Sequence, residues 1–340
     1  MRKNTHIVTP WMVLALLGLL LATACEPAHT TTELVAVPAK AGSRFPNLHT
    51  DAKGQLWMSW IAQSDTLSRL LLSRYDTQGW SSPVEVASGS NWFVNWADFP
   101  GVHSFGDSKL ATHYLQKSGE DTYSYDVVLR FSQDEGRSWS PPVIPHRDGT
   151  QTEHGFVSML ELPNGKLGVV WLDGRKYAST QLASTHGHGA AEGEMTLRFA
   201  AFDASGAMSE EALLDERVCD CCQTDMAMTA EGPLVVYRNR SEEEVRDIYL
   251  VKYQHGAWTQ PRPLSHDNWQ IAGCPVNGPA VAARQEWVAA AWFSLLNGSP
   301  TVQLAFSADA GEHFMPPRAS TRAKPLAGWM WPCWRTARQW

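Results

Sequence analysis

The chain has little charge and no excess of basic side chains. Only 19% of its 340 residues are Asp, Glu, Lys or Arg, the formal net charge is −7 and the pI is near 5.9. That balance gives no support for nucleic-acid binding, which needs clustered Lys and Arg against phosphates. A long apolar run is also lacking. The stretch from about Trp11 to Ala22 is shorter than the roughly 20 residues a membrane helix requires. Arg2 and Lys3 precede it and small residues follow it to Cys25, so residues 1–24 are expected to be an export signal.

Regular turns are plentiful. Ser132-Gln133-Asp134-Glu135-Gly136-Arg137-Ser138-Trp139 and Ser307-Ala308-Asp309-Ala310-Gly311-Glu312-His313-Phe314 both read S-x-D-x-G-x-x-(W/F), the Asp-box pattern. Its Ser and Asp can bond backbone amides across a tight turn, Gly supplies a positive φ, and the aromatic packs between strands. These residues are therefore structural. Looser copies run from Ser73 to Trp80, Phe202 to Met208 and Tyr253 to Trp258. Five units of about forty residues, each with a triplet of apolar segments, predict the four-stranded blades of a β-propeller. The 16 Trp suit both sheet packing and sugar stacking.

Leu21-Ala22-Thr23-Ala24-Cys25 looks like a bacterial lipobox with Ala22 where Leu is usual. Lipidation of Cys25 would make residues 25–43 a tether and the chain a membrane-anchored lipoprotein of the cell envelope; ordinary signal cleavage nearby is the alternative. Setting Cys25 and Cys333 aside leaves Cys219, Cys221, Cys222 and Cys274. In an oxidising compartment a disulfide from Cys274 to one of the other three is expected. Metal binding by these thiols is the alternative, with neither a C-x-x-C pair nor a nearby His spacing identified to support it.

If each Asp box joins strands three and four of a blade, the opposite face collects the inner-strand starts and the loops joining strands two and three. The starts read Ser43–Pro46, Asn95–Asp98, Thr152–Gly155, Cys222–Asp225 and Pro275–Gly278. The loops add Asp65, Glu120, Asp121, Asp173, Arg175, Arg238, Arg240 and Arg246. A mouth of arginines, carboxylates and a His suits an anionic or polyhydroxylated ligand. The alternative is that these groups seal the axis by pairing with one another. Asp98 and Asp225 divide between acid/base or ligand contacts and structural pairing. Glu153 and His154 are adjacent on one strand, so they should face opposite ways and form no dyad. His186 and His188 lie in a Gly-rich loop from about Lys176 to Glu194.

With these residues the chain resembles the sialidase superfamily, whose resemblance implies an all-β, six-bladed propeller over residues 44–317. Ser43-Arg44-Phe45-Pro46-Asn47-Leu48 matches the R-I-P element of that family and makes Arg44 the first arginine of a carboxylate-binding triad. Arg238 or Arg246 would be the second. Asp65 lies where the family keeps its acid/base Asp, Glu231 or a mouth carboxylate would replace its Glu, and no nucleophile Tyr is identified. Segments 91–100, 148–156, 218–225 and 272–279 resemble exported bacterial exo-α-sialidase-like proteins.

The resemblance implies a monomer that binds a terminal acidic sugar and, if catalytic, hydrolyses its glycosidic bond without cofactor or metal. Asp65, Asp98 and Asp225 are the catalytic candidates. Arg44, Glu153, His154, Arg238, Arg246 and Asn277 are the substrate-binding ones. A non-catalytic binding propeller of the cell envelope is the rival reading. After Pro317 strand alternation stops, and residues 318–340 form a Trp- and Arg-rich string. We expect this tail to arise from a frameshift that truncates the last blade, lowering stability and activity.

Overall fold

The computed structural model describes residues 34–178 and 193–319. The export signal, Cys25, His186, His188, Cys333 and the tail from 320 lie outside the described residues. Residues 34–37 belong to a separate N-terminal unit and carry no regular structure.

From Pro38 on, the described residues form five antiparallel sheets in chain order. Sheet one contains β1 (Ser43–Thr50), β2 (Leu56–Gln63), β3 (Ser68–Asp76), β4 (Gly79–Trp80) and β5 (Val84–Gly89). Sheet two contains β6 (Val102–Phe105), β7 (Lys109–Lys117) and β8 (Tyr125–Ser132). Sheet three contains β9 (His154–Glu161), β10 (Leu167–Asp173), β11 (Met195–Phe202) and β12 (Met208–Val218). Sheet four contains β13 (Asp225–Thr229), β14 (Gly232–Arg238), β15 (Ile248–Gln254), β16 (Ala257–Trp258) and β17 (Arg262–Pro263). Sheet five contains β18 (Ala280–Arg284), β19 (Trp287–Leu296), β20 (Ser299–Ser307) and β21 (Arg318–Ala319).

The first strands of successive sheets are neighbours: β1 lies by β6, β6 by β9, β9 by β13 and β13 by β18. This is a β-propeller-like arrangement. Its core is layered, with one apolar cluster between each successive pair of described sheets. Strand alternation produces the layers. In β10, Leu167, Val169 and Trp171 pack toward sheet two, while Val170 and Leu172 pack toward sheet four. Middle strands therefore read as continuous apolar runs. The outer face of sheet five differs, for Trp287, Val302, Phe306 and Met315 are exposed there.

Both good Asp boxes follow the third strand of a sheet, β8 and β20. Ser132 Oγ accepts the Gly136 N–H at 2.8 Å and Asp134 accepts the Ser138 N–H at 2.8 Å. Ser307 and Asp309 repeat this with Gly311 and His313 at 2.9 Å each. Three inner-strand starts fall later in the chain than the apolar pattern predicts. Asn95–Asp98 and Pro275–Gly278 are loops, and β6 and β18 begin only after Pro100 and Pro279. Proline has no N–H to give to a ladder, which delays pairing. In the remaining unit β13 begins at Asp225 rather than Cys222.

Candidate functional site

Polar groups of the approaches to β6, β8 and β9 gather together. At their centre the Tyr125 hydroxyl, at the start of β8, donates to Glu153 Oε1 at 2.7 Å and lies 3.4 Å from Asp98 Oδ2. Asp98 Oδ2 also accepts the Phe156 N–H at 2.9 Å. That contact requires glycine at 155, because a Cβ there would collide with the Asp98 carboxylate. Phe156 itself holds φ at 54°, an unusual conformation for a bulky residue.

Burial dominates both carboxyls. It pushes Asp98 up to about 7, against the opposing pull of the Phe156 N–H and the Tyr125 hydroxyl. It pushes Glu153 up to about 8, resisted by Tyr125 and reinforced by the negative charges of Asp220, Asp98 and Cys219. The Tyr125 hydroxyl is pushed well above its ordinary range by burial and the same carboxylates, so it stays protonated and serves as a hydrogen-bond donor to Glu153. Trp96, two residues before Asp98, is 64% exposed, and Tyr123, two before Tyr125, is 43% exposed. Phe93 stacks on Tyr125 with centroids 4.1 Å apart and meets Tyr123 edge-on at 6.3 Å, joining the buried phenol to the exposed one.

A sulfur cluster lies on the other side of Glu153. Cys221 and Cys274 form a disulfide that ties the approach to β13 to the approach to β18. Cys219 and Cys222 are buried free thiols 3.4 Å apart. Burial pushes the Cys219 thiol up, but the Cys222 thiol and the Arg246 guanidinium outweigh it and bring it down to about 7. Arg246 Nη1 lies 3.0 Å from Cys219 Sγ, and the same guanidinium bonds Glu244 at 2.7 Å and the Ile271 carbonyl at 3.2 Å. Cys219 and Cys222 have C-x-x-C spacing, a signal present in the sequence and overlooked in reading the run as a disulfide partner for Cys274.

The predicted residues divide sharply. Arg238 is 2% exposed, and its donors end on backbone carbonyls: Asn277 at 3.1 and 2.9 Å, Arg246 at 2.6 Å and Phe293 at 2.7 Å. Its guanidinium also covers Trp269 at 5.0 Å. It holds loops together, and Arg246 has a similar task, so neither is placed to clamp a substrate. Asn277 gives its carbonyl to Arg238 and its amide to the Pro275 carbonyl. Asp225 accepts the Val281 N–H at 2.8 Å, joining β13 to β18.

Glu231 sits in the β13–β14 turn and pairs with Lys252 at 2.8 Å, next to Glu312 of an Asp box, so it is at the opposite end of the sheet from the mouth. Arg44, in β1, and Asp65, in the β2–β3 loop, are exposed, and neither side chain makes a hydrogen bond among the described residues. His154 faces away from Glu153 and stacks on His146 with centroids 3.7 Å apart. Tyr125 was not identifiable from the sequence as a site tyrosine, because it opens β8 and meets Glu153 and Asp98 only across the fold. On the Asp-box side, a separate cavity of about 780 Å³ is lined by charged turn residues including Lys53, Arg74, Asp107 and Glu135, away from the carboxyl pair.

No protein-family model matches the sequence, and no curated protein matches it. Solved structures do. An ulvan lyase of polysaccharide lyase family PL25 superposes with a TM-score of 0.50 at 13% identity, covering 81% of this chain and 69% of that one, and its complex with -[GlcA(1-4)Rha3S]- gives the same values. An α-L-arabinanase from Penicillium chrysogenum has a TM-score of 0.49 at 15% identity over 79% of this chain and 77% of that one. The Hadza microbial sialidase Hz136 has a TM-score of 0.45 at 12% identity over 82% and 58%. These neighbours are carbohydrate-active enzymes. At such identities the ulvan lyase shows a shared fold and nothing finer.

Proposed function

We propose that this propeller is glycan-directed and takes an acidic sugar at the mouth around Glu153. The observation that carries the proposal is the pair of proton-holding carboxyls, Glu153 and Asp98, on one phenol, with exposed aromatic rings two residues before Asp98 and two before Tyr125. At neutral pH Glu153 keeps its proton while Asp98 is near its midpoint. A donor and an acceptor are thus available together, as glycoside hydrolysis by two carboxyl groups requires. Trp96 and Tyr123 offer faces for a sugar ring, and Arg44 is an uncommitted guanidinium for its carboxylate. The glucuronate-containing ligand of the ulvan lyase supports an acidic glycan on such a fold.

A terminal sialic acid is the finer form of the proposal. Purified protein should release the fluorophore from a fluorogenic sialoside or shorten a uronate-containing oligosaccharide, and Glu153→Gln should abolish turnover while retaining binding. Wild-type protein that neither binds nor cleaves any acidic glycan on an array overturns the reading. Binding without cleavage is the second reading, favoured by the commitment of Arg238 and Arg246 to the fold. We also propose, on the sequence alone, export with lipidation at Cys25, which mass spectrometry of the N-terminal peptide tests.

A further inference from the structure

On the far side of β9 from Glu153, two buried histidines face one carboxylate oxygen of Asp126 without the hydrogen bonds that usually accompany burial. The side chain of His154 is wholly buried and that of His146 is 4% exposed. Their rings stack face to face, with an angle of 2° between the two planes. On the Asp126 side His146 Nε2, His154 Nδ1 and Asp126 Oδ1 are buried without a hydrogen-bond partner among the described residues. Each such atom costs about 1–3 kcal/mol if left unsatisfied. Two protonated rings face to face would repel, and two neutral rings would leave acceptor nitrogens without donors.

The separations have a pattern. Asp126 Oδ1 lies 3.9 Å from His146 Nε2 and 3.7 Å from His154 Nδ1, and these three atoms are all within 4.8 Å of one another. Such gaps are too long for hydrogen bonds. Donors about 2.0–2.2 Å from an ion stand roughly 3–4 Å apart, so these separations suit a coordination shell once the two rings turn out of their parallel stack and bring their in-plane lone pairs onto one ion. The opposite nitrogens, His146 Nδ1 and His154 Nε2, lie 3.5 and 3.3 Å from Asp148 Oδ2. A carboxylate behind each ring is how ligating histidines are usually fixed in tautomer and direction. Arg175 reaches Asp148 at 3.4 Å and binds Asp173 at 2.7 Å, so positive charge is already present on that side. A cation is therefore excluded from the Asp148–His154–Asp173 side and favoured on the Asp126 side.

We propose that Asp126, His146 and His154 bind one divalent transition-metal ion of the zinc class, with Asp148 positioning both rings from behind. Two imidazoles and one carboxylate match the donor set of such ions. Three protein donors leave at least one position for water or a ligand oxygen, and the Asp126 side chain, 21% exposed, marks the side open to solvent. The site is distinct from the thiol cluster of Cys219 and Cys222.

The test uses the whole protein, stripped with chelator and titrated with Zn²⁺ and with Co²⁺. One equivalent should bind, raise the unfolding temperature, and give a cobalt spectrum free of thiolate charge transfer. His146→Ala and Asp126→Asn should each lower Zn²⁺ affinity at least tenfold, and Asp148→Asn about 10–100-fold. A Cys219→Ser, Cys222→Ser double variant should bind as wild type does. Absence of stoichiometric binding to wild type overturns the proposal whether or not the variants fold. So does thiolate charge transfer, or unchanged affinity in folded His146→Ala.

Discussion

Glu153 and Asp98 hold their protons more tightly in the folded chain than they would in an unfolded one, where carboxyls titrate near 4. Between about pH 4 and 8 the folded state therefore carries the extra protons, and this pair's contribution to stability falls as pH rises through that window. The Glu153→Gln, Asp98→Asn double variant should flatten that decline and gain a few kcal/mol on wild type near pH 8. Thermal unfolding from pH 5 to 9 checks it; parallel curves for the two proteins would show that the pair does not titrate as described. At this scale the sequence was informative only in part. Asp98 and Glu153 could be placed because they precede inner strands. The partners that define their chemistry, Tyr125 and Gly155, come from other positions in the fold. The histidine cluster was less legible still, since Asp126, His146, Asp148 and His154 follow no recognisable ligand spacing and meet only because β8, its following loop and β9 converge.

Among the elements, the Asp boxes were the most legible, because their bonds run between residues two to four apart. Strand starts were less so. Their limits depend on prolines and on partners in other sheets, as Asn95–Asp98 and Pro275–Gly278 show. The disulfide between the approaches to β13 and β18 is a further tie across sheets. Replacing Cys274 with Ser should lower stability by about 2–4 kcal/mol, chiefly by freeing the unfolded chain. Urea unfolding of oxidised wild type, reduced wild type and the variant measures this, and coincident midpoints would remove the stabilising role.

For the molecule as a whole, the forty-residue repeat conveyed the succession of sheets, since each repeat buries its strands against the next. It conveyed little of the arginines, whose fate depends on which carbonyls the finished fold leaves exposed to them. The exposed face of sheet five is a whole-molecule property too. Trp287 is 56% exposed, Phe306 39% and Met315 51%, in contrast to the packed layers between the other described sheets. Apolar surface of this kind favours association. Wild-type protein should therefore self-associate as its concentration rises, and Trp287→Ser with Phe306→Ser should weaken that association in sedimentation velocity. A wild type that sediments as one species at every concentration would contradict this.

The Cys221–Cys274 bridge encloses every strand of sheet four, so tension applied at the chain ends bypasses that sheet and travels through sulfur. The chain from Cys221 to Cys274, a sequence separation of 53, is contour length held out of reach of any pull. Stretched singly, an oxidised molecule should extend about 180 Å less than a reduced one, taking roughly 3.3–3.6 Å for each residue. Sheet four thus behaves as a closed mechanical loop whose length only a reductant releases.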